Sequence, residues 1–191
     1  MLRAIAMLGL VGLLSACSTA PRSDSARAAL TANSRGAVAA FTARDSTLRD
    51  LMGKSVGYAV FPNVGKAGFI GGGAYGRGEV YERGNFVGWA DIAQGSVGLQ
   101  IGAQSYDELV LFLNQEQLDR FMRNQFAFSA NASAVALAEG AAAAADHSKG
   151  VVVFVRPQGG LMAEASIGGQ QFTYQPASDT DRMNGYAHSP E

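Results

Sequence analysis

The sequence predicts an α+β fold: a strongly curved antiparallel β-sheet or barrel-like core, preceded by an N-terminal amphipathic helix and accompanied by one or two short helices. The first observation is the stretch 55–104, which together with Gly53 holds 14 of the 24 glycines, set among valine, isoleucine and aromatic residues. β-Branched and aromatic residues favour strands, and a glycine inside such a run marks a bulge or a bend. The second observation is that strand patterns follow one another through short turns, without regular β-α-β alternation.

The first residues have the pattern of a bacterial targeting sequence. Arg3 precedes an apolar run of about 11 residues, which is too short to span a bilayer as a helix. The run ends in the sequence LSAC at 14–17, which resembles the lipobox of bacterial lipoproteins. We therefore expect Cys17 to carry acyl chains as a stable membrane anchor, and Ser18 after it to favour delivery to the outer membrane, facing the periplasm. The alternative is an ordinary signal peptide whose cleavage removes this cysteine.

Charge and cysteine content exclude several classes of function, and the sequence patterns divide the chain into four segments. The net charge of −1 gives no overall basic field that would favour nucleic acid. Cys17 is the one cysteine of the sequence, which excludes an internal disulfide, a C-x-x-C redox pair and a cysteine-based zinc site. The predicted layout is a signal peptide over 1–16, a lipidated tether over 17–24, one domain over 25–175, and a loose polar tail over 176–191.

Residues 24–53 have the pattern of one or two amphipathic helices. Alanine, leucine and arginine are strong helix formers, and apolar residues recur here at steps of three and four. Asp45 and Ser46 are suited to cap a second, short helix. The arginines off the apolar face fit either a solvated face or a helix that lies on an anionic membrane. The apolar face is rich in alanine, which favours packing against the sheet.

Strand patterns fill most of the remaining domain. They cover 56–61, ended by a turn at Pro62-Asn63; 67–83, with a turn at Arg83-Gly84-Asn85; 86–104; 106–113; 151–155; and a final hairpin of 161–167 with 170–174. Asn114 and Gln117 form a capping box that opens a helix to about residue 124. Residues 126–146 are ambiguous, because five consecutive alanines favour a helix while 126–137 partly alternates with period two.

The sequence contains no convincing catalytic arrangement. The segment GGGAYG at 71–76 matches G-x-G-x-x-G, but a dinucleotide site needs a helix that opens inside the motif, and a strand pattern follows instead. His147 and His188 lack the spacing of a zinc site, and Ser96 lacks the spacing of a nucleophile elbow. We therefore predict a protein that is not an enzyme and that uses no metal or cofactor.

Three basic residues in the glycine-rich region are candidate anion ligands. Lys66, Arg77 and Arg83 would form a small patch on a curved sheet, and each would contribute about 1 kcal/mol at an anionic membrane surface. The alternative is that they are scattered, solvated charges. Phe69, Phe86 and Trp89 are expected in the core rather than on a ligand platform.

Long motifs in this region resemble the SYLF domain family, also known as the Ysc84-like actin-binding domain family. The resemblance rests on VFPNVGKAGFIGG at 60–72 and SVGLQIGAQ at 96–104, with weaker similarity at 130–139 and 160–168, and covers about 35–174. Eukaryotic members bind phosphoinositides and related acidic phospholipids. The resemblance therefore implies a lipid-binding domain, and it implies an extended conformation for 126–137.

Two functions follow from these observations. The first is a lipid-anchored periplasmic module that recognises acidic phospholipid headgroups without catalysis, with Lys66 and Arg77 as the leading cations and the N-terminal helix facing the membrane. The alternative is a structural envelope lipoprotein that docks another protein or the cell wall.

Overall fold

A computed structural model of the chain describes residues 19–68, 71–97, 104–128, 134–136, 138–158 and 169–183. In these ranges the helices are α1 (Asp24–Arg44), α2 (Ser46–Lys54), α3 (Gln115–Met122), α4 (Ala141–Ala144) and α5 (Asp179–Met183). The strands are β1 (Gly57–Gly68), β2 (Gly71–Glu82), β3 (Asn85–Val97), β4 (Gln104–Phe112), β5 (Ala127–Phe128), β6 (Ala134–Ala136), β7 (Val151–Pro157) and β8 (Gln170–Pro176). The predicted α+β class is confirmed.

The strands form one sheet in the order β5-β8-β3-β2-β1-β4-β7-β6. Neighbouring strands are antiparallel, except that β6 runs parallel to β7. Within the described residues no strand pairing joins the two edge strands, so the sheet is open rather than a closed barrel. The G-x-G-x-x-G segment lies inside β2, and a strand cannot offer the helix N-terminus that a dinucleotide site requires.

Contacts between distant strands show how strongly the sheet curves. The rings of Phe61 on β1 and Phe172 on β8 lie 5.5 Å apart, although three strand spacings would separate them by about 14 Å in a flat sheet. Glu108 on β4 accepts a hydrogen bond of 2.8 Å from Gln170 on β8, across four strand spacings, or about 19 Å if flat. The sheet therefore curls until its outer strands meet across one face, here called the concave face.

Each face of the sheet has its own apolar core. The alternation of side chains along a strand sends Tyr58 and Val60 to one face, and Ala59 and Phe61 to the other. The first face is covered by α1, α2 and α4 and is called the helix face. The concave face is closed partly by its own curvature and partly by α3, which inserts buried apolar side chains. Phe86 and Trp89 lie buried in the helix-face core, as predicted.

The helix termini follow local capping rules. Asp45 caps α2 by accepting a hydrogen bond from the N–H of Thr47, and its carboxylate also accepts hydrogen bonds from the N–H groups of Gly140 and Ala142. Asn114 caps α3 by accepting a hydrogen bond from the N–H of Gln117. Both predicted caps are confirmed. Among the described residues, no helix combines the length and apolarity needed to cross a bilayer.

The predicted turn at Pro62-Asn63 is wrong, because β1 continues through it to Gly68. The pairings of β1 shift register there on both sides, which is the signature of a bulge. Asn63 has a φ of 58°, and Asp107 accepts a hydrogen bond from its N–H at 3.0 Å. A side chain on the neighbouring strand thus satisfies a donor that the bulge would leave unpaired, and the strand bends instead of ending.

Several predictions concern the C-terminal third. The extended conformation predicted within 126–137 is confirmed for β5 and β6, and part of the alanine run forms the short helix α4. Residues 161–167, the first strand of the predicted last hairpin, lie outside the described residues; β8 pairs with β3 and β5. The expectation of a loose tail is wrong for residues 177–183, because Ala177 is buried just before α5 and Asp181 is buried within it.

Candidate functional site

A cavity of about 640 Å³ lies between α1, α2 and the end of the sheet where β2 turns into β3. Its floor is apolar, since Val38 and Tyr58 belong to the helix-face core and Met52 packs against that core. The volume falls within the range of pockets that enclose small ligands, about 300–1,000 Å³. The lining residues are Arg35, Val38, Ala39, Thr42, Arg49, Met52, Gly53, Ser55, Gly57, Tyr58, Arg83 and Gly84.

Three arginines give the cavity a positive rim. Arg35 comes from α1, Arg49 from α2 and Arg83 from the β2–β3 turn, and all three residues are exposed. Among the described residues, no ion pair joins any of them to a carboxylate, and no Asp or Glu lines the cavity. Planar guanidinium groups suit phosphate and carboxylate oxygens. The site can therefore hold an anion that carries an apolar group.

The turn that carries Arg83 has an unusual backbone. Arg83 and Gly84 form the two-residue loop between Glu82 and Asn85, which pair with each other, and their φ angles are 48° and 79°. Two positive φ values are what a tight hairpin turn needs, but asparagine or aspartate is usual at the first position, and a left-handed conformation costs other residues about 1–2 kcal/mol. The predicted turn is confirmed. It places an arginine at a strained position on the rim.

A buried carboxyl group lies beneath the rim, on the helix face of β2. Glu79 accepts hydrogen bonds from Thr31 Oγ1 at 2.6 Å and from Tyr81 Oη at 3.0 Å. Burial raises the pKa of Glu79 above its ordinary 4.5, while these two hydrogen bonds and, to a smaller extent, the charge of Arg35 oppose the rise. The Tyr81 ring stacks on Tyr58 at 4.8 Å, so an aromatic pair links this carboxyl to the cavity floor.

The structure does not bring the predicted anion ligands together. Lys66 pairs with Ala74 at one end of the β1–β2 ladder, and Arg83 follows the other end of β2, nine residues or about 30 Å along the strand. Arg77 lies between them, with its Nε 3.0 Å from Asp91. Cys17 lies outside the described residues. The binding roles of Lys66, Arg77 and Arg83 stay predictions.

A second buried carboxyl group lies on the concave face. Burial raises the pKa of Glu108 to about 8, against a smaller lowering by the hydrogen bond from Gln170. Glu108 Oε1 and Gln170 Oε1 have no hydrogen-bond partner among the described residues. No group of three or more His, Cys, Asp or Glu in the described ranges could hold a metal ion.

Comparison with protein families finds a match over residues 93–183 to the family Ysc84, described as Las17-binding protein actin regulator. This segment is similar to the Ysc84 domain. The match begins in β3 and ends in α5, so the matched segment contributes the end of β3 and all of β4 to β8 to the sheet. The cavity lies on residues before the match, on α1, α2, the start of β1 and the β2–β3 turn. A search of curated proteins finds no match.

The sequence predicted only one residue of the cavity rim. The position of Arg83 in the glycine-rich region makes it a candidate, whereas the pattern around Arg35 and Arg49 fits either a solvated helix face or a helix that lies on an anionic membrane. Their spacing in the sequence carries no signal of convergence, because the turn between α1 and α2 brings them together in space. The signal that could have indicated the site is the set of arginines in the segment 24–53, whose apolar face is rich in alanine.

Proposed function

We propose that this chain is a lipid-anchored binding protein of the bacterial envelope that recognises acidic phospholipid headgroups through the cavity between α1, α2 and the β2–β3 turn. The observation that carries the proposal is the rim of three arginines, none in an ion pair with a carboxylate among the described residues, above an apolar floor. An anionic headgroup would contact the rim, and the glycerol or first acyl carbons would contact Tyr58 and Met52. Each rim cation would contribute about 1 kcal/mol at an anionic surface.

The family match supports a binding role, since Ysc84 is described as a family of Las17-binding actin regulators. The lipobox motif at 14–17 supports attachment through acyl chains on Cys17, and we propose the outer membrane, facing the periplasm, as the location. Metabolic labelling with a radioactive fatty acid tests the anchor. Label on the wild type and none on Cys17→Ser is expected, and equal labelling of both would contradict it.

Vesicle flotation of the unlipidated full chain, Cys17→Ser, tests the cavity. Phosphatidylcholine vesicles with phosphatidylglycerol should recover much more protein than phosphatidylcholine alone. The substitutions Arg49→Ala and Arg83→Ala in this background should each weaken binding about fivefold, the equivalent of 1 kcal/mol. Arg120→Ala is the matched control, because Arg120 is an exposed arginine on α3, which packs on the concave face.

Two outcomes would count against the proposal. Equal recovery on neutral and anionic vesicles would exclude headgroup recognition and leave the alternative of a protein or cell-wall partner. Weakening by Lys66→Ala or Arg77→Ala, with no effect of the rim substitutions, would move the site to the other end of the β1–β2 ladder. The expected result for Arg77→Ala is a small effect, because Arg77 is already paired with Asp91.

A further inference from the structure

Helix α1 connects the buried carboxyl of Glu79 with the cavity rim, because it contributes a residue to each. Thr31, which donates to Glu79 Oε1 at 2.6 Å, precedes Arg35 by four residues and therefore lies on the same face of the helix. Arg35 lines the cavity, and its positive charge acts on Glu79. One cation thus has two neighbours: a buried carboxyl beneath the helix and any anion that enters the cavity.

The positive charge that acts on Glu79 comes from Arg35. Both carboxyl oxygens are occupied by neutral hydroxyl donors, and within the described ranges no ion pair includes Glu79. The groups that face it are Arg35 from α1, Tyr81 from β2 and Tyr58 from β1. Only Arg35 among them is positive, and an ionised carboxylate buried at 1% exposure without a paired cation is costly.

The other cation near this region is already engaged. Arg27 lies 5.3 Å above the ring of Trp89, the residue that pairs with Glu79 across the β2–β3 ladder. Its guanidinium is 2.5 Å from Asp181 of α5. The charge of Arg27 is therefore balanced by Asp181, and Arg35 is left as the cation that acts on Glu79.

We propose that binding of an anion in the cavity is coupled to uptake of one proton by Glu79. This inference rests on the proposed function, because it takes the cavity as the anion site. A bound anion partly neutralises the positive charge of Arg35, and its own negative charge repels an ionised Glu79 through the poorly polarisable interior. Protonation of one carboxylate oxygen by solvent removes the repulsion, and no other bond is made or broken. By thermodynamic reciprocity, a neutral Glu79 binds the anion more tightly.

The sign of the pH dependence follows. Because the pKa of Glu79 is raised above 4.5, the proton is taken up at a less acidic pH than an exposed glutamate would require. Anion binding should strengthen as the pH falls through this raised pKa, by about fivefold or more. Glu79→Gln is neutral at every pH and should bind as tightly as the protonated wild type, without pH dependence.

The experiment measures binding of the unlipidated full chain to phosphatidylglycerol-containing vesicles from about pH 5 to about pH 8, a range chosen to span carboxyl pKa values that burial raises. The phosphodiester of this lipid keeps one negative charge throughout, so the vesicle does not titrate. Glu108→Gln is the matched control, since Glu108 is a buried glutamate on the opposite face of the sheet. At every pH where both proteins are folded, its binding should follow the wild-type pH dependence. Thr31→Val removes a hydrogen bond that favours the ionised carboxyl, so it should move the pH midpoint upward.

The outcomes separate the two proposals. No preference for anionic vesicles at any pH refutes the cavity as a headgroup site, and the coupling fails with it. A preference that does not change with pH in the wild type, or that changes equally in Glu79→Gln, overturns the coupling alone. If Glu79→Gln fails to fold, the direction of the Thr31→Val midpoint decides: an upward shift supports the coupling and an unchanged midpoint overturns it.

Discussion

Replacement of Glu108 by glutamine should remove a large pH dependence of stability. Glu108 lies on β4, is fully buried on the concave face, and accepts its hydrogen bond from Gln170 on β8. That bond spans the opening of the curled sheet. Glu108 Oε1 has no partner among the described residues, so an ionised carboxylate at this place would leave a buried charge without adequate compensation.

The sign and size follow from proton linkage. Burial raises the pKa of Glu108 from 4.5 to about 8, so between these values the folded chain binds more protons than the unfolded chain. The free energy of unfolding therefore falls as the pH rises through this window, by about 1.4 kcal/mol per pH unit and by about 4–5 kcal/mol in all. The Glu108 contribution is fully present below the lower value and is lost above the upper one. Such a loss is comparable to the total stability of many domains, about 5–15 kcal/mol.

Urea unfolding of the wild type and Glu108→Gln at several pH values checks this prediction. The difference between the two free energies should change steadily across the window, because the glutamine side chain of the variant does not titrate, while contributions from other groups cancel in the difference. An unchanged urea slope would show that both proteins unfold from comparably compact states. Parallel curves for the two proteins at all pH values would falsify the assignment of a neutral, buried carboxyl to Glu108.

Three further substitutions test the packing of the sheet and the helices by the same unfolding assay. Gly78→Ala should lower the free energy of unfolding by about 1–3 kcal/mol, because the new Cβ would clash with a carbonyl oxygen of β1. Gly73→Ala is the control and should have a smaller effect, since its Cβ would lie 3.6 Å from the nearest atom. Equal losses in the two variants would contradict the predicted clash. Asp45→Ala should cost about 2 kcal/mol, since it removes the α2 cap and the acceptor for two N–H groups around α4, and a loss below the measurement error would refute it. Asp181→Ala should cost about 1–2 kcal/mol by releasing Arg27, whereas unchanged stability would mean that α5 docks without this ion pair.

Features that depend on neighbours in sequence were predictable. Asp45 and Asn114 act as caps because an oxygen two or three residues before a free N–H can reach it without help from the rest of the chain. The turn at Arg83-Gly84 follows from the same locality. The glycines of the stretch 55–104 indicated curvature correctly, since Gly78 leaves no room for a side chain where β1 and β2 approach.

Features that depend on the curl of the sheet were not predictable from local patterns. Pro62-Asn63 has the residue types of a turn, but Asp107, which lies 44 residues later, satisfies the backbone there and allows β1 to continue. In the sequence, Glu79 and Glu108 have the pattern of solvated charges in alternating strands. In the fold, α1 covers Glu79 and β8 packs against Glu108, so both carboxyl groups are buried. The cavity has the same origin, since its arginines come from three separate elements.

The two buried glutamates lie on opposite faces of one sheet, so their pH effects should be separable. Glu79 has both oxygens hydrogen-bonded and lies beside the cation of a proposed binding site. Glu108 has one oxygen without a partner among the described residues and closes the concave face. Distant sites without shared partners have additive effects. The double variant should therefore lose the pH dependence of binding to the same extent as Glu79→Gln, and the pH dependence of stability that Glu108 causes to the same extent as Glu108→Gln. A strong departure from either result would mean that the two carboxyl groups interact across the sheet.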